Sequence, residues 1–261
     1  MAQANPFSLS GKTALVAGAS RGIGQAIAEG LARAGARTIL ASRTLSSLEK
    51  IASELRAEGC AAEALELDIA SRASRQRAVA ALPDIDILIN VAGTNVRKRF
   101  EDYTPEEYDR LVNTNLTGIF ELTQAVGKRM IERGAGGKVV MIGSLTSILG
   151  LPYVSVYTVT KAALAGLCRQ LAAEWGQHEI QVNCIAPGFI LTDLNKDMWA
   201  QPEMRQWMKG VQPNPRLGAP QDIAPLAVFL SSPGSDYITG QVITVDGGVS
   251  TSIVWPFQPV S

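Results

Sequence analysis

Residues 13–35 read TALVAGASRGIGQAIAEGLARAG, three patterns in immediate succession. Thr13 to Ala17 is an apolar run of strand length. Gly18-Ala19-Ser20-Arg21-Gly22-Ile23-Gly24 follows, too glycine-rich to continue a strand and suited to a tight turn. Ile23, Ile27 and Leu31 then recur at i, i+4 and i+8 with Ala28 and Ala32 beside them, the period of an amphipathic helix, and Gly35 is its stop signal. A second strand-like run begins at Thr38, so the chain opens as strand, helix, strand.

The same rhythm runs outward from that unit. Strand-like runs fall at 13–17, 38–41, 62–66, 85–90, 138–142, 181–185 and 242–245, seven candidates in all. Ile87-Leu88-Ile89 and Val139-Val140-Met141-Ile142 are apolar on consecutive residues, as expected of strands covered by helices on both faces. Helical patterns lie at 45–58, 105–133, 157–175 and 221–230, the second opening on Thr104-Pro105-Glu106-Glu107, a capping-box spacing with proline in the first turn. The expected fold is α/β, a doubly wound parallel sheet of about seven strands with helices on both faces. No linker, like-charge block or internal repeat divides the 261 residues, so residues 1–261 are expected to form a single domain.

Composition removes several function classes. Lys+Arg and Asp+Glu both number 24, which leaves neither the basic excess of a nucleic-acid binder nor a polybasic membrane patch. Three cysteines, Cys60, Cys168 and Cys184, and one histidine, His178, give no disulfide framework and no metal-ligand spacing, so no metal site is expected. Cys168 and Cys184 sit in apolar patterns as small core residues, and His178 at a helix end reads as structural. The uncharged stretch 139–160 is interrupted by Ser144, Thr146, Ser147, Pro152, Ser155 and Thr158 and does not read as a membrane span. The opening MAQANPFSLSGK lacks the features of a secretory signal, so a cytoplasmic location is expected.

Chemistry is concentrated at the strand ends. Glycines between a strand and a helix let a ligand approach the backbone, and the helix N-terminus offers spare N–H groups and a positive dipole end to a phosphate. A dinucleotide is the natural ligand of Gly18, Ser20, Arg21, Gly22, Ile23 and Gly24. Tyr157 and Lys161 are four apart and share a helix face. A phenol that titrates near ~10 is a poor base, and a neighbouring ammonium is expected to lower it into a useful acid/base range; the alternative is a surface pair.

With the spacing G-x-x-x-G-x-G, the sequence resembles the short-chain dehydrogenase/reductase family, and further residues carry the likeness. Ile89-Asn90-Val91-Ala92-Gly93 looks like the family's fourth-strand segment, with Val91 where a second Asn is common. Asn115, Ser144 thirteen positions before Tyr157, the Tyr157-x-x-x-Lys161 pair, Pro187-Gly188 and Asp246-Gly247-Gly248 also match, so the resemblance runs from Lys12 to Val249. It implies a Rossmann-type sheet and an NAD(P)-dependent oxidoreductase that interconverts a secondary alcohol and a ketone. Tyr157 would exchange a proton with the substrate oxygen, Ser144 would hydrogen-bond that oxygen, Lys161 would hold the nicotinamide ribose, and Asn115 would anchor a relay water. Asn90, Ala92 and Gly93 would line the cofactor, Asp68 and Ile69 would contact adenine, and Pro187, Gly188, Ile190 and Thr192 would lie at the carboxamide end. Relatives are usually homotetramers pairing the two long helices and the late strand, which implies the same here.

At the end of the second strand stand Ser42 and Arg43 instead of an acidic residue. Arg43 with Arg21 would clamp a 2′-phosphate, favouring NADP(H) over NAD(H); two solvated surface arginines are the alternative. Residues 189–220 leave the strand-helix rhythm and read as a substrate lid, in which Trp199, Met204 and Trp207 either line a pocket or pack on the body. The stretch 90–103, NVAGTNVRKRFEDY, looks most like gluconate 5-dehydrogenases, and Arg97 and Lys98 would suit an anionic sugar acid unless they form a solvated loop. A 3-oxoacyl thioester or a general carbonyl substrate is the alternative, and a catalytically silent NADP-binding regulator a further one. The apolar tail Val254-Trp255-Pro256-Phe257 could cover a neighbouring subunit or its own pocket.

Overall fold

A computed structural model describes residues 5–253, so the tail from Val254 lies outside the described residues. The elements run β1 (Thr13–Ala17), α1 (Gly22–Arg33), β2 (Arg37–Ser42), α2 (Leu45–Ala57), β3 (Ala62–Glu66), α3 (Arg72–Ala81) and β4 (Ile87–Asn90). They continue with α4 (Pro105–Val112), α5 (Gly118–Arg133), β5 (Gly137–Ile142), α6 (Ser155–Trp175) and β6 (Ile180–Pro187), then α7 (Lys196–Ala200), α8 (Pro202–Val211), α9 (Pro220–Ser231) and β7 (Val242–Val245). The seven strands form one sheet in the order β3-β2-β1-β4-β5-β6-β7, every pair parallel. Strand order reverses between β1 and β4, and the crevice beyond their carboxyl ends is where such sheets hold ligands.

Alternate strand residues feed two cores. Val16, Leu40, Ile89 and Val140 pack under Ile27, Leu31, Leu48 and Ile223 of α1, α2 and α9. Leu15, Ile39, Leu88 and Val139 pack under Ala78, Ile119, Leu122, Leu164 and Cys168 of α3, α5 and α6. Both faces of the sheet are therefore buried, which is why its strands are apolar on consecutive residues. Cys168 and Cys184 lie in the second core at 0 % exposure.

The long helix expected over 105–133 is interrupted. Its start is as anticipated, with Thr104 Oγ1 accepting from the Glu107 amide and the Glu107 carboxylate accepting from the Thr104 amide. Residues Asn113–Thr117, however, form a wide π turn between α4 and α5. At its exit Gly118 presses on the Ile69 carbonyl, where an added Cβ would lie 2.1 Å from the oxygen. Helices α3, α7 and α8 appear in segments that carried no helical expectation. Among the described residues no helix is long and apolar enough to cross a membrane.

Candidate active site

The loop between β1 and α1 is built from close backbone approaches. Gly18 sits at φ +104°, and a Cβ there would lie 2.6 Å from the Ala92 amide nitrogen. A Cβ on Gly24 would lie 2.0 Å from the Gly18 carbonyl oxygen. The loop thus folds on itself and against the segment after β4, whose Val91 and Ala92 amides donate to the Ala17 carbonyl at 2.9 Å. No side chain caps the N-terminus of α1 and no acidic residue stands in its first turn, so its free N–H groups open toward the crevice. Arg21 and Arg43 are both exposed beside it, and neither joins an ion pair among the described residues. A glycine cradle, an uncapped helix end and two uncommitted guanidinium groups fit a dinucleotide bearing an additional phosphate.

The remaining expected cofactor residues lie at the carboxyl ends of the strands or just beyond them. Ser42 ends β2, its hydroxyl accepting from the Thr44 amide at 3.3 Å. Asp68 and Ile69 follow β3, with the Asp68 amide donating to Ser74 Oγ and its carboxylate accepting from the Ala70 amide, each at 3.0 Å. Asn90 is buried at the end of β4 and donates to Thr123 Oγ1 at 2.9 Å. Pro187 ends β6, and Gly188 lies so near Asp246 that a Cβ would come within 2.6 Å of its Cα. Asn195 receives the Thr192 amide and donates to the Ile190 carbonyl, both at 2.8 Å, holding Thr192 over Gly22.

Asn115, Ser144, Tyr157 and Lys161 converge at the ends of β4 and β5. Lys161 is almost fully buried; its ammonium lies 5.7 Å from the Tyr157 ring centre and donates to the Ile142 carbonyl at 2.7 Å. Asn115, in the π turn, accepts from the Thr94 amide and donates to the Thr94 carbonyl, both at 2.8 Å, and also reaches Thr160 Oγ1 at 3.3 Å. Gly93 faces this group: a Cβ there would stand 3.5 Å from both Asn115 Oδ1 and Lys161 Nζ. Ser147, which carried no expectation, ties the pieces together by accepting from the Ser144 amide at 3.1 Å and donating to the Lys161 carbonyl at 2.9 Å. Its signal was Ser144-x-x-Ser147, too common a spacing to single out.

Electrostatics at the phenol differ from expectation. Burial pushes Tyr157 above the ordinary phenol value, against a hydrogen bond with Ser144 and the charge of Arg97, which pull it down. Lys161 is itself driven down to about 8 by burial. The four-residue spacing thus places Lys161 against the ring but does not deliver the lowered phenol expected of it: burial outweighs the pull of Ser144 and Arg97.

Of the two basic residues expected at the mouth, the structure separates one from the other. Lys98 is engaged by both Glu107 carboxylate oxygens at 2.7 and 2.8 Å and lies 5.8 Å from the Tyr103 ring centre. Arg97 is exposed and close enough to act on Tyr157 by charge. Trp199 packs inward at 3 % exposure, edge-on to Phe189 at 5.4 Å, and Trp207 takes the other edge position on Phe189 at the same distance. His178 sits beyond the C-terminal end of α6, about 30 Å along the helix from Tyr157. Among the described residues no group of three His, Cys, Asp or Glu side chains could hold a metal ion.

A seven-stranded parallel sheet with a glycine cradle at its reversal point and a Ser-Tyr-Lys-Asn group beside it defines an oxidoreductase acting between CH–OH and C=O. The chain belongs to the short-chain dehydrogenase/reductase family: the family model described as enoyl-(acyl carrier protein) reductase matches residues 18–250. It is 40% identical over 257 residues to gluconate 5-dehydrogenase of Gluconobacter oxydans (strain 621H), covering 97% of this chain and 100% of the relative. It is 42% identical over 245 residues to 2-dehydro-3-deoxy-D-gluconate 5-dehydrogenase of Bacillus subtilis (strain 168), covering 93% and 96%. Among solved structures, gluconate 5-dehydrogenase of Burkholderia cenocepacia in complex with NADP and tartrate superposes with a TM-score of 0.91 at 35% identity, covering 95% of this chain and 98% of that one.

Proposed function

We propose that the protein is an NADP(H)-dependent enzyme that interconverts a secondary alcohol and a ketone on a sugar acid, with Tyr157 as the acid/base. The observation that carries this reading is the Tyr157 phenol, set above Lys161 and close enough to Ser144 and to the charge of Arg97 to feel both. Bound NADPH supplies the hydride. Ser144 hydrogen-bonds the substrate oxygen, and Tyr157 delivers the proton to it as charge develops there. A phenol raised by burial holds its proton at neutral pH, which suits the acid role in ketone reduction. Lys161 holds the ribose hydroxyls and recharges the phenol, and Gly93 leaves the space between Asn115 and Lys161 open to a relay water. Gly18, Ser20, Arg21, Gly22, Ile23 and Gly24 cradle the pyrophosphate, Ser42 and Arg43 take the 2′-phosphate, and Asp68 and Ile69 meet the adenine. Asn90, Ala92, Gly93, Pro187, Gly188, Ile190 and Thr192 line the nicotinamide half.

Arg97 is the contact for the substrate carboxylate, and Lys98 braces the loop that presents it through Glu107. Residues 189–220 act as the lid, in which the buried Trp199 and the exposed Trp207 both pack edge-on against Phe189. The domain 1–261 works as a cytoplasmic homotetramer; the exposed Tyr108, Phe120 and Val159 of α4, α5 and α6 and the β7 sheet edge supply its faces. A substrate panel tests the reading: 5-ketogluconate, a 3-oxoacyl thioester and a neutral ketone, each with NADPH and with NADH. The keto acid with NADPH is expected to turn over fastest. Preference for the thioester overturns the substrate assignment, and tight NADPH binding with no turnover of any member supports the silent regulator instead.

A further inference from the structure

Asn113 makes a contact that the proposed chemistry does not require on its face. Its Nδ2 leaves the first position of the π turn and donates to the Ala70 carbonyl at 2.9 Å, across 43 residues of sequence. Ala70 closes the turn that carries Asp68 and Ile69, and that turn is fixed throughout. Ser74 accepts the Asp68 amide, Asp68 accepts the Ala70 amide, and the buried Arg75 donates to the Ile69 carbonyl while pairing with Glu121 of α5. Gly118, at the other end of the π turn, packs without room for a Cβ on the same Ile69 carbonyl. Two residues after Asn113 stands Asn115, with its bonds to Thr94 and Thr160. A π turn is less favourable than the α-helix on either side of it and persists where outside contacts hold it. Here it is gripped on one side by the Asp68–Ala70 turn and on the other by the segment beside Lys161.

We infer that Asn113 is a positioning residue that couples the adenosine-binding turn to Asn115, so that occupation of the adenosine half of the site and the proton-handling geometry are set together. The inference rests on the roles proposed above for Asp68–Ile69 and for Asn115. It depends on a donor at position 113, because its partner is a carbonyl oxygen.

The experiment compares Asn113→Ala, Asn113→Asp and Asn113→His with the unaltered full chain. Calorimetry gives the affinity for 2′,5′-ADP, the adenosine half of the cofactor alone, and steady-state assays at saturating NADPH give the pH profile of kcat. One lost neutral hydrogen bond sets the scale: Asn113→Ala weakens 2′,5′-ADP binding about fivefold and lowers kcat about fivefold, with a displaced pH profile. Asn113→Asp is worse than Ala at pH 8, where a carboxylate faces the carbonyl, and recovers as pH falls and the acid regains a proton to donate. Asn113→His, which keeps an N–H, restores both quantities, and Asn113→Asp at pH 8 stands in for the Ala variant if that one does not fold. The coupling is wrong if only one of the two quantities changes by more than twofold, if neither does, or if Asp is no worse than Ala. Tyr157→Phe is run in parallel: full turnover there sinks the catalytic assignment, while 2′,5′-ADP affinities still report on the Asn113 bond.

Discussion

Lys161 lies 5.7 Å from the centre of the Tyr157 ring and directs its hydrogen bond to the carbonyl of Ile142, so it meets the phenol as a charge below the ring. Burial drives the two groups in opposite directions, Tyr157 upward and Lys161 down to about 8. For ketone reduction the phenol must carry its proton and the lysine its charge. Reduction is therefore expected to hold its rate through neutral pH and fall as pH passes about 8, where Lys161 loses its charge, whereas alcohol oxidation, which needs the phenol to accept a proton, rises only at higher pH, above the ordinary phenol range. Paired profiles of kcat/KM in the two directions check this, and reduction that peaks only well above pH 9 would contradict it.

The same burial makes Lys161 a stability liability. A buried lysine whose folded value lies near 8 against an ordinary 10.5 binds fewer protons in the folded chain than in the unfolded one between those values. Its cost is fully present below about pH 8 and fades as pH rises toward 10.5. Lys161→Met is expected to abolish turnover yet stabilise the fold at pH 7 by about 1–3 kcal/mol, the upper figure reduced by loss of the Ile142 bond. Urea titrations at pH 7 and pH 10 should show a gain that shrinks at the higher pH. A variant less stable than the parent at pH 7 would mean that the Ile142 bond outweighs the desolvation.

The contrast between β1-α1 and α3 shows what the sequence makes legible. Strands in a doubly covered sheet must be apolar on both sides, and α1 must bury Ile27 and Leu31, so composition and period point the same way. Helix α3 buries only Ser74, Arg75 and Ala78 and carries three arginines, so no apolar stripe announces it. The π turn was hidden for another reason: apolar residues continue at near-helical spacing from Leu111 to Leu122, and the extra residue is held by Ala70 and Ile69, distant in sequence. At the site, residue types and spacing placed Tyr157 with Lys161, and the family resemblance added Ser144. They could not give the sign of the phenol shift, which depends on how much protein surrounds the ring.

Arg43 and Arg21 provide a separable test of cofactor choice. Both are exposed and outside the ion pairs of the described residues, so replacing them disturbs little else in the fold. A charge-assisted hydrogen bond to a phosphate stabilises by roughly 1.5–3 kcal/mol, which translates to about 10- to 100-fold in affinity. Arg43→Ala is expected to raise KM for NADPH by at least about tenfold while leaving KM for NADH nearly unchanged, with Arg21→Ala acting in the same direction more weakly. Equal losses for both cofactors would place Arg43 on a phosphate they share.

Arg97 and Lys98 are neighbours with the same formal charge and opposite commitments, and that difference can be measured. The Lys98 ammonium is satisfied by Glu107, which also caps α4, and its amide donates to the Tyr153 carbonyl at 3.0 Å. Lys98→Met should therefore lower stability by about 1 kcal/mol, the scale of a partly exposed pair, with a small and similar change in KM for charged and neutral substrates. Arg97 acts on the phenol from an exposed position. Arg97→Ala should leave the melting temperature unchanged, raise KM for a keto acid about tenfold, and spare a neutral ketone. Losing its charge also removes one of the two influences that lower the phenol, so the alkaline rise of alcohol oxidation should move to higher pH. Reversal of the two phenotypes, with Lys98 selective for the acid and Arg97 indifferent to it, would assign the carboxylate to the wrong side chain.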